Sequence, residues 1–362
     1  MNGGFEGILA MDCESVFVVF ALLLVGVQVG FTYNVKSFIT WDDMKVDLRR
    51  ERLNSRYDGS SRVIVVDKNG GGDSVTVQGA VDMVPAYNTQ RTKISILPGI
   101  YREKVLVPRS KPYISFIGKE SRVAETIITW NNKASDIDIH GHKLGTDNSA
   151  SVTIESDYFC ATDVTFQNTV KAVAGASDMQ AAALRIYGDR AMFYKVRILG
   201  TQDTLLDLSG THYFYQCHIE GNVDFIAGNG KSLYQECVLH SIAESSGAIA
   251  AQQRESPYED TGFSFVNCQV TGTGKILLGR PWGNFSRMIY SNCYFNNIID
   301  PLGWTDWKDP NRQKDVILGE YACKGPGADG RGRVRWSRSL SYADAKPFLN
   351  TNFINGEQWL KL

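Results

Sequence analysis

The sequence predicts an all-β fold: a right-handed, single-stranded parallel β-helix closed by short terminal capping helices. Two observations carry this expectation. An imperfect repeat occupies residues 193–200 (FYKVRILG), 214–221 (FYQCHIEG), 233–241 (LYQECVLHS), 263–272 (FSFVNCQVTG) and 288–297 (MIYSNCYFNN). Its centres fall at Val196, Cys217, Cys237, Cys268 and Cys293, at steps of 21, 20, 31 and 25 residues, with apolar residues two apart around each. That spacing is strand alternation, and a unit with one short strand cannot bury its own apolar face, so copies must stack. The second observation is that Asp203 lies seven residues beyond Val196 and Asp224 seven beyond Cys217. Stacked strands about 4.8 Å apart therefore set two carboxylates side by side.

The remaining elements follow in chain order. Residues 16–29 are an apolar run followed by Gly30, shorter than a comfortable membrane span and suited to a secretory signal peptide over 1–30. No Lys or Arg precedes it while Glu6, Asp12 and Glu14 do, so an uncleaved anchor or a mis-set start codon stays open. Residues 31–60 are polar and arginine-rich without a period and read as a short pre-region. The folded β-helix domain then spans 61–362, opening with the strand at 63–66, a glycine turn at 70–72 and a helical stretch over 75–84. That helix covers the open end of the solenoid, where an unpaired first rung would expose strand edges. Further strands are expected at 93–101, 104–108, 126–130, 151–156 and 162–169. Beyond about residue 300 the repeat dissolves into a cap, with Ser341 as N-cap of a helical turn that Pro347 ends.

With 43% hydrophobic residues and 34 Gly, a single turn-rich domain with an ample core is expected. Loss of the leader would remove three of the 39 acids and no base, leaving 38 Lys and Arg against 36 acids, a balance that does not suggest nucleic acid. Cys217 and Cys237, central on adjacent rungs, come within reach of a disulfide in a secreted solenoid. Cys268 and Cys293 read as small buried hydrophobes. Asn284-Phe285-Ser286 is a glycosylation sequon on an expected surface turn. The five histidines show no metal spacing beyond the pair His140 and His142, so neither a metal nor a cofactor is expected. Oligomeric state is unreadable, and a monomer is the default.

Around the aspartates stand Gly200-Thr201-Gln202-Asp203-Thr204-Leu205 and Asp224-Phe225-Ile226-Ala227-Gly228. Gln180-Ala181-Ala182-Ala183-Leu184 lies upstream, Leu278-Gly279-Arg280-Pro281-Trp282 downstream, and Gly99-Ile100-Tyr101-Arg102-Glu103 near the start. In this order and at these intervals, over roughly residues 60 to 362, the set resembles the signature of the pectin methylesterases, in the plant-type group without an inhibitor-like pro-domain. The resemblance implies hydrolysis of methyl-esterified galacturonate units in pectin, in an extracellular cell wall setting. A proteinaceous inhibitor is a further family expectation.

The residue chemistry points the same way. Two carboxylates one rung apart cannot both ionise cheaply, so their titrations split. Arg280 folded over Asp224 would keep that carboxyl ionised, making Asp224 the nucleophile and Asp203 the acid and then base. The resemblance gives Gln180 and Gln202 as donors to the oxyanion. It also makes Trp282 and Trp304 walls of the substrate groove, where flat rings stack on sugars. Trp307 and Tyr158 read as packing residues, and Tyr101 and Glu103 as structural. Gln180 and Gln202 also suit a structural amide ladder, and Arg280 a carbonyl at a loop. Two departures from the family pattern are Ala227, where an aromatic is usual, and Gln253 in Ala251-Gln252-Gln253-Arg254, where glycine is. The alternatives are a polygalacturonase-like glycoside hydrolase on the same fold, whose signatures are missing, and a catalytically silent wall-binding protein. No GxSxG elbow is present, which disfavours a serine esterase.

Overall fold

The computed structural model describes residues 38–47, 62–173 and 176–362. The expected leader and most of the arginine-rich pre-region lie outside the described residues.

The chain coils as a parallel β-helix with three strand faces. One face stacks Arg62–Val66, Thr92–Ile96, Ile114–Ile117, Cys160–Thr162, Ala191–Tyr194, Thr211–Tyr215, Lys231–Gln235, Gly262–Val266, Arg287–Ser291, Ile317–Tyr321 and Arg338–Ser339, in that order. The second runs through Val105–Val107, Val152–Ile154, Leu184–Ile186, Leu205–Asp207 and Val223–Gly228. The third runs through Gly99–Arg102, Thr126–Trp130, Thr165–Asn168, Arg197–Leu199 and His218–Gly221. The long strands Val238–Gln252 and Gln269–Gly279 pass through both of the latter columns and join them. The strand pairs are parallel and in register, as at Phe193↔Phe214↔Tyr234↔Phe265↔Tyr290.

That register turns the repeat into ladders. Phe159, Phe193, Phe214, Tyr234, Phe265 and Tyr290 stack inside the coil with successive ring centroids 4.4–5.8 Å apart. One residue before each repeat centre, Lys195, Gln216, Glu236, Asn267 and Asn292 adopt φ of 52–55°. The chain thus turns at one point per rung, and the small centre follows the turn into the interior. The same pairing of a left-handed residue and a small centre recurs at Asp163-Val164 and at Ala322-Cys323. The strand column accordingly continues past residue 300, through Ile317–Tyr321, where the sequence reading ended the repeat.

The expected Cys217–Cys237 bridge is not formed. Both are buried free thiols, as are Cys268 and Cys293. Each sulfur instead faces a carbonyl of the preceding rung, Cys217 to Phe193 O at 3.3 Å and Cys237 to Phe214 O at 3.5 Å. The reason is geometric: in-register parallel strands keep equivalent Cβ atoms near the strand spacing of about 4.8 Å, whereas a disulfide needs them at roughly 3.5–4.5 Å.

The helix closing the first rung is Val77–Asp82, with Val77, Ala80 and Val81 buried. Thr76 caps it, and the carboxylate of Glu103 accepts the N–H groups of Val77 and Gln78, both at 2.8 Å. Tyr101 is buried and donates to Leu97 O at 2.9 Å, so both residues are structural as expected. At the other end Ser341 caps Tyr342–Ala345, and a 3-10 turn carrying Pro347 follows. Ile39–Thr40 pairs with Leu360–Lys361. Ile39, Met44, Phe353, Ile354 and Trp359 cluster there on the outer face, over Tyr213 and Leu233.

Candidate active site

The strand Val223–Gly228 carries a β-bulge at the site. Its pairing with the next strand shifts between Val223↔Ala248 and Ile226↔Ala250, so Asp224 and Phe225 together oppose one residue. Bulges re-aim side chains, and here Asp224 takes φ 48° while Asp203, one rung earlier, takes φ 56°. Such left-handed backbone costs on the order of 1–3 kcal/mol per residue away from glycine and gathers at functional sites. Gly221 makes room for the bulge: a Cβ there would sit 2.3 Å from the Phe225 Cβ. The rung alignment inferred from the sequence is realised, since Gln202 bridges Val223 and Asp203 N–H donates to Val223 O at 3.1 Å.

Arg280, at the end of the strand Gln269–Gly279, reaches across to Asp224. Its Nε donates to Oδ1 at 2.7 Å and its Nη2 to Oδ2, a two-point grip on a carboxylate only 7% exposed. Burial pushes the Asp224 carboxyl up and the guanidinium draws it partly back, leaving it raised from its ordinary value. Arg280 acts in the direction that favours the ionised form, but desolvation outweighs it here. Asp203 is driven much higher, first by burial and then by the neighbouring Asp224, with Arg280 and the Gln202 amide acting against the shift. Of the two carboxyls Asp203 is raised the further, so Asp224 is the one that ionises more readily.

The amide of Gln202 hydrogen-bonds Asp203. Gln180 lies on the preceding rung, where Ala181 N–H donates to Gln202 O at 3.0 Å. Its side-chain oxygen is buried without a partner, an exception that calls for an explanation such as a functional amide. Trp282 is 37% exposed, directly after Arg280 and Pro281. Trp304 is not a groove wall: it is fully buried, edge-on to Tyr290 at 5.9 Å. It bridges Gly279 as an inward position of the rung. Trp307 takes the exposed place instead, 40% accessible, with the Arg280 guanidinium 3.7 Å from its ring centroid. The charged neighbours in Asp306-Trp307-Lys308-Asp309 were the available signal for a surface turn. Tyr158 is buried against Tyr113 at 4.9 Å, a packing role as expected.

Ala227 and Ala251 line up with Leu206 across adjacent strands and form a small, buried apolar patch with Ala150 and Ala182. Gln253 is half-buried, its N–H donating to Gly228 O at 2.8 Å. Asn284 is exposed on the turn after Trp282. Among the described residues no group of three or more His, Cys, Asp or Glu could hold a metal. Sequence reasoning also missed a buried cluster in which His212 Nδ1 meets Asp207 Oδ1 at 2.5 Å and Tyr234 donates to Asp207 Oδ2 at 2.6 Å. It had no motif to announce it.

A sequence model of the Pectinesterase family matches residues 63–357. Among curated proteins, the chain is 59% identical to pectinesterase QRT1 of Arabidopsis thaliana over 353 residues, covering 92% of this chain and 93% of that one. Among solved structures it resembles the pectin methylesterase from carrot with a TM-score of 0.75 and 35% identity, over 82% of this chain and 94% of that one. A pectin methylesterase in complex with a hexasaccharide matches with a TM-score of 0.67 and 27% identity, over 80% of this chain and 96% of that one. On the family match and this likeness along nearly its whole length, the chain belongs to the pectinesterase family.

Proposed function

We propose that this pectinesterase removes methyl groups from methyl-esterified galacturonate units of pectin through an acyl-enzyme on Asp224. The observation that carries the reading is the asymmetry of the pair: two aspartates one rung apart, of which Arg280 chelates Asp224 through two bonds. Asp224, as carboxylate, attacks the ester carbonyl, and the amides of Gln180 and Gln202 donate to the oxygen as it gains charge. The tetrahedral species collapses with loss of methanol, whose oxygen takes the proton held by Asp203. Asp203, now ionised, draws a proton from water, and that oxygen attacks the acyl carbon. The galacturonate unit leaves as its acid and gives its proton to solvent, Asp224 is a carboxylate again and Asp203 is reprotonated.

Trp282 serves as a stacking wall for the sugar rings, and the solved hexasaccharide complex of a related pectin methylesterase supports an extended sugar chain as occupant. Secretion to the cell wall rests on the apolar run at 16–29, and glycosylation on the exposed Asn284. A monomer without cofactor, open to a proteinaceous inhibitor, completes the reading. The test is methanol release from highly methylated pectin with polymer length followed in the same samples. Methanol without shortening is expected; shortening without methanol would mean cleavage of the backbone instead.

A further inference from the structure

Trp307 stands outside the aspartate rungs, yet its ring is the surface on which the Arg280 guanidinium rests, 3.7 Å from the centroid. We propose that Trp307 is a positioning residue for the esterase reaction, fixing the plane of the Arg280 guanidinium so that its edge stays on both oxygens of Asp224. The proposal rests on Asp224 being the nucleophile.

The geometry divides the guanidinium between two partners. Its Nε and Nη2 edge is spent on Asp224, and its face lies on the indole. A planar cation bound only along one edge can still tilt about that edge, and stacking on an aromatic face removes the tilt. Core packing does not account for the ring, since Trp307 is 40% exposed while Trp304, three residues earlier, is fully buried.

The backbone around Trp307 supports a purpose for its placement. Trp307 and Lys308 are consecutive left-handed residues, φ 60° and 64°, and neither is glycine. Such strain persists only where the surroundings over-determine it, and they do so here. Asp306 Oδ1 accepts Lys308 N–H at 2.9 Å, and Asp306 Oδ2 accepts the Gln313 amide at 2.7 Å. Arg312 donates to Pro281 O at 3.1 Å and to Trp282 O. The turn bearing Trp307 is thereby tied to the two residues that follow Arg280.

The charged groups acting at this point are Arg280 on Asp224, and Asp224 with Arg280 on Asp203. A guanidinium that tilts off Asp224 draws its carboxyl down less, so the nucleophile is lost to protonation at higher pH. The experiment compares Trp307→Ala, Trp307→Phe and Arg280→Lys by methanol release across pH, with kcat and KM determined separately. Trp307→Ala is expected to lower kcat about tenfold and to move the acid limb of the kcat profile up by about one pH unit. KM should stay within about twofold, and Trp307→Phe should recover most of both losses. A raised KM with kcat and the acid limb unmoved would make the ring a substrate platform and overturn the proposal, as would no change at all. An acid limb that moves in Arg280→Lys but not in Trp307→Ala would sink Trp307 alone. One that moves in neither would sink the nucleophile assignment beneath it.

Discussion

Replacing Arg280 by Ala isolates what the guanidinium does for the aspartate pair. Charges about 4 Å apart interact by roughly 4 kcal/mol at an effective dielectric of about 20, equivalent to about three pH units. The Asp224 side chain is 7% exposed and that of Arg280 23%, so solvent screening trims this to about two units. Without the arginine, burial acts on Asp224 unopposed, and its carboxyl, already raised, rises further. Asp224 works as a carboxylate, so the acid limb of the rate profile moves to higher pH. Arg280 also holds Asp203 down, so the basic limb, where Asp203 loses its proton, moves up as well. Initial rates of methanol release from pH 4 to 10 read both limbs. The account expects the whole bell displaced toward alkali and activity at neutral pH reduced on the order of a hundredfold. A bell that keeps its position and loses only height, or a change confined to KM, would refute the electrostatic role.

Two further outcomes follow from the interior. His212 is fully buried with its ring nitrogens on Asp207 Oδ1 at 2.5 Å and Gly188 O at 2.8 Å, an arrangement in which an imidazolium donates both of its N–H groups. Burial lowers its pKa, but Asp207 outweighs that and leaves it raised, with Asp189 adding to the rise. Its stabilisation is complete below about pH 6.5, the unfolded value, and fades as pH climbs through the folded one. Thermal midpoints from pH 5 to 9 should show this loss in the parent protein and not in His212→Gln, which should itself be about 3–5 kcal/mol less stable at low pH; parallel profiles would contradict it. The thiols give the second outcome. Unfolded without reductant, Cys160, Cys217, Cys237, Cys268, Cys293 and Cys323 should all accept an alkylating reagent, and a Cys217–Cys237 disulfide peptide in the digest would show the ladder to be wrong.

The coil was legible because it repeats. One strand per twenty to thirty residues leaves no way to bury apolar faces except by stacking, and that fixed Asp203 and Asp224 as neighbours before any coordinates. The rung at Ile317–Tyr321 escaped although Cys323, 30 residues beyond Cys293, keeps the spacing and the small centre: the ladder position that is aromatic in the earlier rungs is Glu320 here, paired with Tyr290, so the apolar pattern is lost. The disulfide was misread from the same regularity that revealed the fold: register brings backbones close and holds Cβ atoms parallel. The burial of Trp304 and the exposure of Trp307 were both misjudged because sequence gives composition without direction. The bridge to Gly279 turns the first inward, and the left-handed turn throws the second onto Arg280. The direction of the Asp224 shift depended on how deeply the bulge is buried, which no motif encodes.

The central claim is that the carboxylate of Asp224 attacks the ester. Methanol release by Asp224→Asn, folded as judged by its thermal midpoint and set beside the parent protein on highly methylated pectin, tests it most directly. The amide is nearly the same shape and still offers an oxygen to Arg280, but it is a poor nucleophile, so a fall of at least about ten-thousandfold in kcat is predicted. Retention of more than about a tenth of the parent rate would contradict the claim and move the nucleophile elsewhere.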